Sequence, residues 1–290
     1  MRRKLNIKKN TIKPEQIKAN IYDTVQLIVD ITGVTSLDLD YIQSCLKSLF
    51  PSNLYTLMET ELYPCEVEDL SERRPDGITI TSQKRLIEKE TVLRFVSKDE
   101  SEEISISRLF IIIKLNYKSA HKLSEKIDMI REILSCFFRI NYFEIVRITL
   151  NKKDNIICNS LYMIYQCFVK SMFGDITYTL GRKGEDVKQS SLENKSYLMY
   201  GENIVKIYKS VQNGNINYND KKKEVYEGNL NITMSYECLE NYDANDTKLK
   251  FIELNNIAFQ IFMNHITGSF AEDLVLGNTN KVLGGFNINE

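Results

Sequence analysis

Hydrophobic and polar positions alternate most regularly in Thr91 to Tyr117, "TVLRFVSKDESEEISISRLFIIIKLNY". Val92 to Val96 reads as a strand, "SKDES" as a polar hairpin tip, and Ile104 and Ile106 fall on one face of a second strand. From Leu109 the odd positions 109, 111, 113, 115 and 117 are Leu, Ile, Ile, Leu and Tyr. The even positions are Phe110, Ile112, Lys114 and Asn116. Side chains alternate across a strand, so one face is wholly apolar and the other turns polar at its end. This is the pattern of a central antiparallel strand, buried on one side and partly on the other. It predicts core.

The same reading extends along the chain. Residues 21–31, "IYDTVQLIVDI", predict a strand that Gly33 stops. Leu39, Ile42, Leu46 and Leu49 recur at helical spacing before Pro51. "SERRPDG" (71–77) predicts a turn. Ser119 is placed to cap a helix whose apolar stripe is Leu123, Ile127, Ile130, Leu134 and Phe137. A strand is expected over 142–150, with "NKKDN" (151–155) as its turn, and a helix over 160–173. A polar loop (181–196), two strands (197–211 and 224–238) and a helix (247–267) complete the order. The expected fold class is α+β, with antiparallel sheets packed against long helices. A basic, flexible arm (1–13) is expected to precede two α+β halves of similar style, 14–155 and 156–290, the second sharing or packing on the core of the first.

The final helix departs from ordinary amphipathicity. Glu253, Asn256, Gln260 and Asn264 make one narrow polar strip, and apolar residues fill the rest of the circumference. Such a helix is buried on more than one side. Either it lies between layers of one domain or it faces a second subunit. Phe251, Leu254, Phe259, Phe262 and Met263 are the interface candidates under the second alternative.

Composition narrows the chemistry. The 290 residues carry a formal net charge of -1, so no global field steers the molecule to nucleic acid or anionic lipid. Local basic groups do occur: Arg2, Arg3 and Lys4 in the arm, Arg182 and Lys183 in "GRKGED", and Lys221, Lys222 and Lys223. These are the nucleic-acid candidates, expected to lie in the arm and in loops. No apolar run approaches the ~18 residues of a membrane span. The six cysteines show no spacing of a disulfide framework, so reduced thiols and a cytoplasmic location are expected, with Cys136, Cys158 and Cys167 as buried bystanders. Two histidines, His121 and His265, and no Cys-x-x-Cys pair argue against a metal centre. No cofactor is expected. The carboxylates Glu66, Glu68, Asp69, Glu102 and Glu103 read as turn charges. Arg94, Tyr117 and Arg147 are the candidates for a small-ligand pocket.

The stretch from "LRFVSKDES" to "IDMIREIL" resembles a sporadically distributed family of uncharacterised bacterial proteins. In that family a Phe-x-Ser-x-Asp hairpin precedes a strand, a tyrosine and a long helix. "VRITLNKKDN" is similar to the family strand Arg-Ile-Gly-Leu-Arg-Tyr-Ile-Asn. Arg147, Ile148 and Leu150 match it, whereas Asn151 and Lys152 replace the second Arg and the Tyr. "LNNIAFQIFMNHITGSFAEDL" resembles the closing helix. The resemblance implies an α+β protein of the kind found in mobile, antiviral-defence or toxin–antitoxin-like loci. The expected function is a non-catalytic protein-interaction component, self-associating or held in an assembly. A nucleic-acid-binding component and an enzyme or small-ligand sensor are the alternatives.

Overall fold

The computed structural model describes residues 9–19, 21–62, 72–74, 77–79, 90–140, 142–158, 160–169, 191–218 and 221–278. Eleven strands are described: β1 (Tyr22–Thr32), β2 (Tyr55–Leu62), β3 (Glu72–Arg74), β4 (Gly77–Thr79), β5 (Glu90–Ser97), β6 (Glu102–Ile106), β7 (Phe110–Asn116), β8 (Glu144–Cys158), β9 (Ser191–Tyr200), β10 (Asn203–Tyr218) and β11 (Lys221–Glu237). Nine form one sheet in the order β2-β5-β6-β7-β1-β8-β11-β10-β9, and β3 pairs β4 separately. Every pairing in the large sheet is antiparallel. The described α-helices are α1 (Ser36–Leu49), α2 (Leu123–Phe137), α3 (Leu161–Cys167), α4 (Ala244–His265) and α5 (Gly268–Leu276).

The period-two pattern sets the layers. Val25, Leu27, Val29 and Ile31 of β1 are buried with Ile111, Ile113 and Leu115 of β7 and Ile104 and Ile106 of β6. On the same face lie Leu150 and Ile156 of β8, and Leu230, Ile232 and Met234 of β11. The helices cover this face, α4 against β8, β11 and α2, and α1 against α2. Each buried Leu, Ile, Val or Phe contributes about 1.5–3 kcal/mol, so this layer holds the fold together. Packing is tight over β11, where a Cβ at Gly228 would lie 3.2 Å from Ile164 and 3.4 Å from Phe168, so a larger residue requires those side chains to shift.

Several expectations are corrected. "NKKDN" is not a turn but the middle of β8, paired on one side with β1 and on the other with β11. Two flanking strands satisfy its backbone groups, and that outweighs the turn preference of Asn and Asp. Residues 191–196, expected in a loop, belong to β9. The break falls instead at Gly201, whose φ of 59° suits a tight turn that glycine adopts without strain. The Asn/Gly/Lys-rich stretch near 212–223 is largely a β10–β11 ribbon rather than a loop. The boundary expected at 155/156 falls inside β8, so both portions of the chain share one sheet.

The interface candidates on α4 are also corrected. Phe251, Leu254, Phe259, Phe262 and Met263 are all buried within the single chain. The helix packs on the sheet and α2, so most of its apolar circumference is used internally, while Leu249 and Ile252 stay exposed. Of the arm, residues 1–8 lie outside the described residues, but the rest is docked: Ile12 is buried and Lys9 Nζ donates to Ile266 O at 2.5 Å. Cys45 and Cys136 form a disulfide joining α1 to α2, in place of the expected free thiols. No described helix is long and apolar enough to cross a membrane.

Candidate functional site

The residues singled out as a ligand pocket are not brought together. Arg94 on β5 is held by Glu103, with Nε and Nη2 at 2.9 and 2.8 Å from the same oxygen. Arg147 on β8 is held by Asp30 at 2.6 Å. Four strand spacings separate β5 from β8, roughly 19 Å. Tyr117 follows β7 and is exposed. The two arginines pin neighbouring strands on the face of the sheet opposite the helices. They share no cavity.

That opposite face is a polar ladder. Asn151 donates to Gln26 at 3.2 Å and accepts from Thr233 at 3.2 Å, and Thr149 donates to Ser235 at 2.9 Å. Lys153 pairs with Asp23 at 2.9 Å, and Asn155 donates to Glu227 at 2.7 Å. Residues of the expected turn supply most of it, because every second residue of β8 points this way.

The alternate residues of the same stretch point inward. Lys152 and Asp154 are both buried on the helix-covered face. Lys152 Nζ donates to Asn255 Oδ1 of α4 at 2.5 Å and to the Tyr22 hydroxyl at 3.2 Å, and lies 4.9 Å from the Tyr22 ring centroid. Neither carboxylate oxygen of Asp154 has a hydrogen-bond partner among the described residues. Burial lowers the Lys152 pKa and raises that of Asp154, and the opposite charge of each partly offsets the shift in the other. Burial and the nearby Asp154 charge also raise Tyr22. The cluster joins the centre of the sheet to α4 through polar contacts and holds a titratable pair out of water.

A second buried carboxylate is Glu102, on β6 rather than in a turn. It takes Lys126 at 2.6 Å, the Tyr55 hydroxyl at 2.9 Å and Lys122 at 3.4 Å. Burial alone would raise its pKa, but the hydrogen bonds from Lys126 and Tyr55 and the two lysine charges hold it below the usual value. This is a satisfied structural ion pair between the sheet and α2. A cleft of about 450 Å³ lies elsewhere, between α3 and α5, lined by Met163, Gln166, Cys167, Ser269, Phe270 and Asp273.

Of the basic candidates, Arg2, Arg3, Lys4, Arg182 and Lys183 lie outside the described residues. Lys221, Lys222 and Lys223 open β11, opposite Tyr218, Asn217 and Ile216, and so stand in a strand rather than a loop. Lys222 and Lys223 are exposed.

The surface feature not anticipated is β9. It is the terminal strand of the sheet, paired with β10. Four consecutive large side chains on it are exposed: Tyr197 69%, Leu198 51%, Met199 67% and Tyr200 55%. Tyr197 and Met199 stand opposite Lys206 and Ile204, while Leu198 and Tyr200 stand opposite Val205 and Asn203. Over these four residues the strand is therefore apolar on both faces, at an edge that no other described strand pairs. Asn203 Nδ2 donates to Tyr200 O at 3.3 Å and to Glu253 of α4 at 3.1 Å, fixing the adjoining turn to the body. "SYLMY" carried the signal: a short run apolar at successive positions rather than alternate ones.

In comparisons with known proteins, no family model matches the chain and no curated protein matches it.

Proposed function

We propose that this protein is a non-catalytic interaction component that works by pairing the β9 edge with another polypeptide. The observation that carries this reading is the run Tyr197–Tyr200, exposed on a terminal strand. A long, apolar, uncovered edge is a template for strand addition, in which main-chain hydrogen bonds bind and side chains select. The association surface thus moves from α4, whose candidates are buried, to the opposite end of the sheet order from β2. The family resemblance supports a place in a bacterial antiviral-defence or toxin–antitoxin-like assembly. Light scattering on the purified protein tests the reading. Assemblies that dissociate in Met199→Pro are expected, because proline deprives an edge strand of a donor. A strictly monomeric protein that brings no other chain with it from its host overturns it.

A second reading is favoured by the opposite sheet face. Lys206 sits 5.9 Å from the Tyr197 ring centroid and Lys195 sits 5.6 Å from that of Tyr208. Aromatic rings interleaved with lysines on an open sheet suit single-stranded nucleic acid, through stacking and phosphate contact. Binding of a labelled oligonucleotide should then fall steeply with salt and weaken in Lys195→Glu with Lys206→Glu. Salt-independent or absent binding rejects it.

A further inference from the structure

We infer that the strand completing β9 is β9 of a second copy, antiparallel, about a two-fold axis at Ser196. This rests on the reading that the β9 edge is an association surface, and adds the partner and the register.

The phase of the edge follows from its turn. β9 and β10 are joined by Gly201 and Glu202 between the paired residues Tyr200 and Asn203. A two-residue hairpin closes on a pair that exchanges both backbone hydrogen bonds, and hydrogen-bonded pairs then alternate along the ladder. Asn194, Ser196, Leu198 and Tyr200 therefore turn their peptide groups to β10. Glu193, Lys195, Tyr197 and Met199 turn theirs outward, where no other described strand pairs with them.

A two-fold axis through the sheet must sit on a residue if facing side chains are to share a side. Centring on Asn194 sets Leu198, Met199 and Tyr200 opposite positions that lie outside the described residues. Centring on Lys195 sets two ammonium groups against each other, and centring on Tyr197 or Leu198 shortens the overlap. Centring on Ser196 pairs residues 192–200 with their symmetry mates. Lys195 then faces Tyr197 of the second copy, a cation–π arrangement. Glu193 faces Met199, Asn194 faces Leu198, and Ser196 faces itself.

Size and composition agree with a copy as occupant. At roughly 200 Å² for each large side chain, the exposed fractions of Tyr197 to Tyr200 offer at most about 1,000 Å² over the two copies. Specific interfaces begin at about that area. The opposite edge, β2, is less suited, since Glu59 is exposed there and accepts from Gln43 of α1 at 2.9 Å. A β9–β9 seam also closes the assembly as a dimer, whereas β9 on β2 would propagate without end.

Cysteine cross-linking of the full chain tests the register. In this arrangement Ser196 faces its mate as a non-hydrogen-bonded pair, with Cα atoms about 4.5 Å apart, within the span of a disulfide. Ser196→Cys should give a covalent dimer in high yield under mild oxidation, while the wild type and Asn194→Cys remain uncross-linked. Met199→Pro added to Ser196→Cys should abolish the cross-link, with circular dichroism confirming an intact fold. A dimer by light scattering in which Ser196→Cys cross-links no better than Asn194→Cys overturns the register while leaving the association reading standing. A monomer with neither cross-link overturns the pairing of two copies, and the association reading falls with it only if no other chain accompanies the protein from its host.

Discussion

Lys152 of β8 donates to Asn255 of α4 at 2.5 Å, while Asp154, two residues further along the same face, has no hydrogen-bond partner among the described residues. One charge is tied across the sheet–helix boundary and the other is buried beside it.

The pair should give a stability minimum near pH 8. The Asp154 pKa is raised by burial to about 8, so between the unfolded value of ~4 and that point the folded state binds more protons. Stability then falls as pH rises. The Lys152 pKa is lowered by burial to about 8, so between there and the unfolded value of ~10.4 the folded state binds fewer protons. Stability then recovers as pH rises. Thermal melts from pH 4 to 10 should show the dip, and Asp154→Asn should flatten its acid limb.

Removing one partner should cost more than removing both. Lys152→Ala removes the charge that offsets burial at Asp154 and the contacts to Asn255 and Tyr22, so it is expected to lose stability, most strongly at alkaline pH where the acid must ionise. The double variant Lys152→Met with Asp154→Leu should recover most of that loss, because apolar groups of similar size need no solvation. Urea unfolding of the single and double variants measures both.

The Cys45–Cys136 disulfide encloses a long loop. Reducing it restores the freedom of that loop in the unfolded chain, worth about 4–5 kcal/mol in the chain-entropy description. Cys45→Ser and reduced wild type should therefore unfold at similarly lower denaturant concentrations. An unchanged midpoint on reduction contradicts this.

Core and edge should separate cleanly. Phe251 of α4 is fully buried, so Phe251→Ala should cost about 3–5 kcal/mol without changing the oligomeric state. Met199→Pro should do the reverse, leaving the melting temperature nearly constant while abolishing association. Light scattering and calorimetry on the same samples distinguish the two.

Periodicity carried much of the architecture. The alternation of Ile111, Ile113 and Leu115 and the stripe of Leu123, Ile127, Ile130 and Leu134 assign burial correctly, because each follows from the geometry of one isolated element. The α+β class and the antiparallel pairing follow from those same elements in order. What escaped depends on neighbours far along the chain. "NKKDN" has turn composition, yet β1 and β11 claim its backbone from both sides, and only that pairing divides it into a polar ladder outside and a buried Lys152–Asp154 pair inside. The broad apolar circumference of α4 showed that it must be covered on several sides. Whether a second subunit or α2 and the sheet covered it was decided by packing, since burial is a property of what arrives in space and not of the residues buried. The β9 edge is the complementary case: its tyrosines, leucine and methionine resemble core in composition, and the strand order leaves them exposed, with no other described strand on the outer side.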